Sequence, residues 1–341
     1  MKRVLLTGAG GYIGKHIALQ LLNQGYSVRA SVRDLKRSEE VKAAITPHLA
    51  PGVDLQAALT FVVLDLEQDA GWDEALAGVD VLMHTASPFP IASPEDEDDI
   101  IRPAVDGTLR ALRAAKVAGV KRIVLTSSVA AVYGNDLPAG VSEFDETMWT
   151  DVTHPVGRVA YTKSKTLAEK AAWDFIKSEA NDIALTTINP VLVLGAPLDR
   201  NFGSSISVVE RVLKGKDPML PDLRFGIVDV KDVAKMHVDC IDVQSTFGER
   251  ILASAQTLSF VEIAKIIKSA YPESKTKTGK APTFLINILA KFDGDIRAVL
   301  PLLGKPMLVS NKKAQSLLGV KFISAEASVK DSAAFLMKNK R

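Results

Sequence analysis

Along the first part of the chain, two textures of apolar residues alternate. Short runs rich in Val, Ile and Leu occur at Val4–Thr7, Ser27–Val32, Phe61–Asp65, Val79–His84 and Arg122–Thr126. Between most of them the apolar positions recur at helical spacing, as with Ile13, Ile17, Leu21 and Leu22. The longest such stretch, Asp96 to Ala118, places Ile100, Ile101, Ala104, Leu109, Leu112 and Ala115 on or near one face. Ser93-Pro94-Glu95-Asp96 reads as its start: a Ser cap, Pro at the first position, then carboxylates at the positive end of the helix dipole. Strands alternating with helices predict an α/β fold, a parallel sheet covered on both faces.

The pattern continues with a helix from Tyr161 through Leu167, Ala168, Ala171, Ala172, Phe175 and Ile176 and a strand at Ile183–Asn189, broken by Pro190. After Gly195 the texture changes. Pro and Gly become frequent and the elements short: Ser204–Lys214, Phe225–Val228, Asp232–Val243, Arg250–Ala253 and Phe260–Ala270, with closing helices at Asn311–Leu318 and Ala325–Lys338. This divides the chain into a domain at 1–195 and a smaller mixed α/β substrate lobe at 196–341, with room for later segments to return to the first domain. Asp199 to Arg224, irregular and just past the last sheet strand, is the candidate substrate lid, with Phe202 and Met219 its apolar residues.

Composition changes this picture little. Of 341 residues, 47% are hydrophobic, enough for a sizeable core, and the net charge of +2 points to neither nucleic acid nor an anionic membrane as partner. No apolar run approaches the roughly 20 residues that span a bilayer. Lys2-Arg3 precedes an apolar stretch too short for a signal peptide. A cytoplasmic protein, monomer or homodimer, is the expectation. The single cysteine, Cys240, excludes an intrachain disulfide and multi-cysteine metal clusters and reads as a buried structural thiol. His84, His154 and His237 lack ligand spacing, so no metal site is expected.

The first candidate chemistry is Thr7-Gly8-Ala9-Gly10-Gly11-Tyr12-Ile13-Gly14, between the first strand and the first helix. Gly8, Gly11 and Gly14 recur every third residue. In such a turn one glycine takes φ > 0, one lets the backbone approach a pyrophosphate, and one lets helix pack on strand. The free N–H groups of the helix then face the phosphates. This placement predicts a dinucleotide site on a Rossmann-type, doubly wound parallel sheet. In NAD-binding examples an acid lies about 20 residues further on, at the end of the second strand. Here that position reads Ser31-Val32-Arg33-Asp34-Leu35-Lys36. Val32 cannot accept from a ribose 2′-OH, whereas Arg33, with Lys36, suits a 2′-phosphate, so NADP(H) is favoured. Asp34 is the competing feature, an acid one or two positions late.

The second is Tyr161-Thr162-Lys163-Ser164-Lys165. Tyr161 and Lys165 share a helix face. An ammonium nearby stabilises phenolate, so the pair can exchange a proton with a carbonyl oxygen as hydride is transferred. Upstream, a strand ends at Thr126-Ser127-Ser128, and a serine hydroxyl at that carboxyl edge can hydrogen-bond the same oxygen.

Taken together, Thr-Gly-x-x-Gly-x-x-Gly, Thr-Ser-Ser and Tyr-x-x-x-Lys resemble the extended short-chain dehydrogenase/reductase family. Within it the chain is similar to the branch of dihydroflavonol reductase, cinnamoyl-CoA reductase and yeast NADPH-dependent methylglyoxal reductase. Further matching stretches are His84-Thr85-Ala86-Ser87-Pro88, Ala168-Glu169-Lys170-Ala171-Ala172-Trp173, Ile188-Asn189-Pro190 and Val228-Asp229-Val230-Lys231-Asp232-Val233-Ala234. The resemblance implies catalytic Ser128, Tyr161 as proton donor, and Lys165 on the nicotinamide ribose. Ser127 takes a structural or cofactor role, Arg33 the 2′-phosphate, Asp65 and Leu66 the adenine. Thr85, Ala86 and Ser87 line the cofactor, Pro190 and Val193 lie near the nicotinamide, and Thr7, Tyr12 and Ile13 accompany the glycines. Many members carry Asn where this chain has Asp106.

The implied function is an NADPH-dependent reductase of aldehydes or ketones, acting on hydrophobic or aromatic carbonyls or ketoaldehydes. The rival is an NAD-dependent nucleotide-sugar epimerase or dehydratase, which uses the same Ser, Tyr and Lys but retains NAD. A non-catalytic NADPH sensor is the third reading, disfavoured by the intact Tyr161–Lys165 pair. Between Ser128 and Tyr161, Met148 and Trp149 are read either as a pocket wall or as packing under a long loop.

Overall fold

The structure is a computed structural model that describes residues 1–87, 96–292, 294, 297 and 300–339. Seven strands form the main sheet. They are β1 (Arg3–Thr7), β2 (Ser27–Val32), β3 (Leu59–Val63), β4 (Val81–His84), β5 (Arg122–Thr126), β6 (Ala184–Pro190) and β9 (Arg250–Ala253), in the order β3-β2-β1-β4-β5-β6-β9 and all parallel. The helices interleaved with them are α1 (Tyr12–Asn23), α2 (Lys36–Ile45), α3 (Leu55–Ala58), α4 (Trp72–Leu76), α5 (Asp98–Val117) and α6 (Ala160–Glu179). Strand order reverses between β1 and β4, and ligands of such sheets bind at that crevice.

The two-residue period of the strands sorts the core. Val4 and Leu6 of β1 join an apolar cluster on one face with Val28, Val81 and Ile188, while Leu5 joins Leu82, Ile123 and Leu185 on the other. Both faces are thus apolar, which is why these strands read as unbroken hydrophobic runs.

A second sheet, β10-β8-β7, is built from β7 (Leu192–Leu194), β8 (Arg224–Asp229) and β10 (Gln256–Ser259). With α7 (Ser204–Leu213), α8 (Val230–Asp239) and α9 (Phe260–Ala270) it forms the smaller region. Arg250–Ala253, grouped by sequence with the second lobe, instead closes the main sheet as β9, pairing with β6 from Thr187↔Arg250 to Pro190↔Ala253. The apolar cluster runs without a break from Val4 through Val228 to Val329.

Several boundaries differ from the pattern, among them β4, which starts at Val81, and β6, which keeps Pro190 paired with Ala253 rather than ending before it. β3 spans Leu59–Val63 rather than Phe61–Asp65, because its register against β2 runs from Val28↔Leu59 to Val32↔Val63 and both strands end together. The helix expected over Asp232–Val243 starts at Val230, since the Asp229 carboxylate accepts from the Lys231 N–H at 2.9 Å and caps it there. The long helix starts at Asp98. The proposed cap Ser93-Pro94-Glu95 lies outside the described residues. Among the described residues, no helix is long and apolar enough to cross a membrane, and no His, Cys, Asp or Glu cluster is arranged to hold a metal.

Candidate active site

The site forms where β1, β4, β5 and β6 end. Gly8 has φ +70, and a Cβ on it would lie 2.8 Å from the Ala86 nitrogen. A Cβ on Gly14 would lie 2.2 Å from the Gly8 oxygen. Both positions therefore require glycine, one for the turn and one for helix–strand contact. Gly11 precedes α1, and no side chain caps the helix, so its first N–H groups remain available to an anion. Ile13 is half-buried at this end.

Thr7 ties the neighbouring strand ends together. Its Oγ1 is 2.8 Å from His84 Nδ1 and accepts the N–H groups of Thr85 and Ala86 at 3.1 and 3.2 Å. Its side chain thus shapes the wall that Thr85, Ala86 and Ser87 present. Tyr12 is buried and donates to the Gly195 oxygen at 2.9 Å, so its phenol ties α1 to the end of β7.

At the end of β2, Arg33 is exposed at the carboxyl edge. The Asp34 carboxylate accepts the Lys36 N–H at 2.9 Å and thereby starts α2, which gives the late acid a local partner. Lys36 itself is exposed, and the cation brought to the glycine turn is its neighbour. A Cβ built on Gly10 would lie 3.4 Å from Arg37 Cζ. Pattern reading missed Arg37 because its place depends on where α2 begins. Asp65, exposed after β3, accepts the Glu67 N–H at 3.0 Å, and Leu66 is buried against Gly107.

Ser128, Tyr161 and Lys165 converge. Ser128 ends the β5 segment in an extended conformation, and its Oγ accepts the Ala130 N–H at 3.1 Å. It is also hydrogen-bonded to the Tyr161 phenol. Lys165 Nζ lies 5.5 Å from the Tyr161 ring centroid and donates to Ser87 Oγ. Burial pushes the Tyr161 phenol above its ordinary pKa, the Ser128 hydrogen bond opposing, and brings the Lys165 ammonium down to about 8. Sequence reasoning expected Lys165 to lower the phenol. In this environment burial dominates and keeps the phenol protonated.

Ser127 points elsewhere. Its hydroxyl donates at 2.5 Å to Glu169 Oε2, which also accepts from Asn189 Nδ2 at 2.6 Å. Oε1 of the same carboxylate accepts from Arg250 Nε at 2.7 Å and Thr187 Oγ1 at 3.0 Å. Asn189 in turn donates to the Ser128 carbonyl at 3.1 Å. Glu169 is buried and fixes the strand end that carries Ser128. The Glu169 motif stretch is legible in the sequence, but apart from Trp173 Nε1, which donates to Oε1 at 3.3 Å from the next turn of α6, its partners come from β5, β6 and β9 and no local pattern names them.

A cavity of about 250 Å³ opens beside the triad, lined by Ser128, Tyr161, Pro190, Leu192, Phe225 and Met307 among others. Of the proposed lid, Ser204, Ser205, Leu223 and Arg224 reach it; Phe202 and Met219 do not. Val193, expected near the nicotinamide, is buried in the core while Val191 and Leu192 line the cavity. Trp149 stacks on the Arg250 guanidinium at 3.6 Å, so with Met148 it packs under its loop rather than forming the cavity wall. Asp106 is exposed on α5. His84 and His237 are buried and pushed down to about 4, and burial takes the Cys240 thiol up to about 12.

Residues 4–249 match the model of the NAD dependent epimerase/dehydratase family. The chain belongs to this family, the extended short-chain dehydrogenase/reductases. This extended short-chain dehydrogenase/reductase is 32% identical to cinnamoyl-CoA reductase CAD2 of Medicago truncatula, over 99% of this chain and 96% of that one. It is 30% identical to the putative NADPH-dependent methylglyoxal reductase GRP2 of Candida albicans, over 97% of each. Among solved structures it is similar to yeast methylglyoxal/isovaleraldehyde reductase Gre2 complexed with NADPH, with TM-score 0.78 and 28% identity over 98% of each chain. It is likewise similar to the NADPH complex of Gre2 from Candida albicans, with TM-score 0.82 and 27% identity over 100% of each.

The protein is an NADP-dependent oxidoreductase. Its own residues fit the cofactor: Gly8 and Gly14 leave no room for a Cβ, the end of α1 is uncapped, Val32 rather than an acid ends β2, and the cations Arg33 and Arg37 follow it.

Proposed function

We propose that the protein reduces small hydrophobic or aromatic carbonyls, ketoaldehydes included, with Tyr161 as the proton donor. The reading is carried by the apolar cavity of about 250 Å³ that opens directly on Ser128 and Tyr161. Val129, Leu192, Phe225, Met307 and Val309 supply an apolar surround, with Arg224 as the cation among its lining residues. A nucleoside diphosphate sugar needs a longer, more polar channel. Support also comes from relatives named for reductions of methylglyoxal, isovaleraldehyde and cinnamoyl-CoA.

When bound, NADPH supplies the hydride. The chain's part is to orient the carbonyl and manage the proton. Ser128 donates a hydrogen bond to the carbonyl oxygen. The Tyr161 phenol, kept protonated by burial, releases its proton from Oη to that oxygen as negative charge develops there. Lys165, charged below about pH 8, stabilises the phenolate left behind and orients the ribose through its ammonium.

The test is turnover of NADPH against aliphatic aldehydes, aryl ketones, 2-oxoaldehydes and UDP-sugars. Reduction of the carbonyls with inert UDP-sugars is the expected result. Conversion of a UDP-sugar without net cofactor consumption, with every carbonyl inert, would replace this reading by the epimerase.

A further inference from the structure

A cavity of about 940 Å³ lies away from the one beside the catalytic triad. It lies on the smaller region, between α7, the loop after α9 and the closing helix Ala325–Lys338. Its floor is apolar. Phe202 and Phe335 meet edge to face at 6.2 Å, and both are only half-buried, with Met337 beside them.

Its rim is cationic by construction. Gly215 takes φ +59, and a Cβ on it would lie 2.1 Å from the Lys275 oxygen. This close approach sets Lys216 beside the backbone of Lys275, and both side chains line the cavity and are exposed. Lys214 is paired with Glu210 at 2.6 Å, and Glu273 is the other carboxylate present. Arg200 adds a further cation, its Nη2 donating to the Asn339 oxygen at 2.9 Å. An apolar floor under converging cations suits a carboxylate carried on an apolar body.

The same segment reaches the nucleotide turn. Asp199 pairs with buried Lys15 at 2.5 Å, and Asn201 Nδ2 donates to the Gly10 oxygen at 3.1 Å. Consecutive residues therefore face two places: 199 and 201 hold the glycine-turn region, and 200 lines the cavity.

We propose that this cavity binds an amphipathic carboxylate, and that occupancy tightens NADPH binding through residues 199–201. A carboxylate that engages Arg200 as it stands favours the conformer in which Asp199 and Asn201 hold the turn. A ligand shifts a conformational equilibrium toward the state that it binds better. Linkage makes the effect reciprocal, so NADPH tightens the carboxylate by the same factor.

Decanoate is the probe, with decanol and decyltrimethylammonium as controls for its charge. Its binding to the full chain is measured by calorimetry with and without NADPH, and NADPH affinity by fluorescence with and without decanoate. Decanoate should bind, the controls should bind at least about tenfold more weakly, and each ligand should tighten the other by about fivefold or more. The Lys216→Glu/Lys275→Glu double variant should lose decanoate and keep its NADPH affinity, with an unchanged thermal melt as the check on folding. Asn201→Ala should still bind decanoate but lose the mutual tightening. The proposal is overturned if decanoate does not bind, or binds the double variant equally well. It is also overturned if decanoate competes with the carbonyl substrate, which marks the catalytic cavity as its site, or binds without changing NADPH affinity.

Discussion

The Lys165 ammonium stands 5.5 Å from the ring centroid of Tyr161, with Lys165 buried and Tyr161 half-buried at the cavity wall. The two respond differently to that burial. The phenol is pushed up and stays protonated through neutral pH, whereas the ammonium comes down to about 8. The alkaline limb of reduction therefore belongs to Lys165. kcat/KM for the carbonyl at saturating NADPH should fall as pH rises through about 8, well before an ordinary tyrosine titrates near 10. A profile of kcat/KM from pH 6 to 10.5 checks this; a plateau unbroken to pH 10 contradicts it.

Cofactor choice should rest on two arginines. Arg33→Ala and Arg37→Ala should each raise the Kd for NADPH about 10- to 100-fold, the scale of a lost charge-assisted hydrogen bond of about 1.5–3 kcal/mol. NADH binding should hardly change. Lys36→Ala should leave both cofactors nearly unaffected, because Arg37 and not Lys36 lies over Gly10. Fluorescence titration of the three variants decides the matter, and a larger loss at Lys36 than at Arg37 would reverse the assignment.

Glu169 is expected to carry stability as well as geometry. Its carboxylate accepts from Ser127, Thr187, Asn189 and Arg250, all from strands or strand ends. Removal of one partner of a buried ion pair costs about 3–5 kcal/mol. Urea unfolding of Glu169→Ala should show a loss on that scale, and Ser127→Ala a loss of about 1 kcal/mol. Equal stabilities of the two variants would show that the Arg250 pair contributes little.

What the sequence displayed well was whatever depends on local spacing. The Gly8, Gly11, Gly14 turn, the Tyr161–Lys165 helix face and the parallel strands all follow from near-neighbour periodicity. The parts it hid depend on non-local contact. Arg250–Ala253 looks like one more short element of the second lobe until its register with β6 is known. Arg37 looks like a surface charge until α2 is seen to begin at Lys36. Phe202 and Met219 have lid-like chemistry, but the chain path sends Ser204, Ser205 and Arg224 to the catalytic cavity in their place.

Acid should destabilise the fold in a defined window. His16, His84 and His237 are buried, and each is brought down from 6.5 to about 4. His237 is held neutral between Thr126 Oγ1 and the Val233 oxygen, each at 2.7 Å. With folded-state values below the unfolded ones, the unfolded chain takes up protons first as pH falls. Stability from these groups is complete above about pH 6.5 and is lost progressively toward pH 4. Asp232, raised to about 6, acts in the opposite sense, and Asp229 and Glu146, also raised by burial, add to it, so the loss is the net of these carboxyls against the three histidines. Urea midpoints should drop steadily from pH 7 to pH 4.5; a flat series contradicts the prediction.

The most direct test of the central claim is single-site removal of the Tyr161 hydroxyl. Tyr161→Phe should fold and bind NADPH with near-normal affinity by fluorescence, while its kcat for the best carbonyl substrate falls by roughly a hundredfold or more, the scale of general acid catalysis. A Tyr161→Phe protein that binds NADPH and reduces that carbonyl at a near-normal rate would contradict the account.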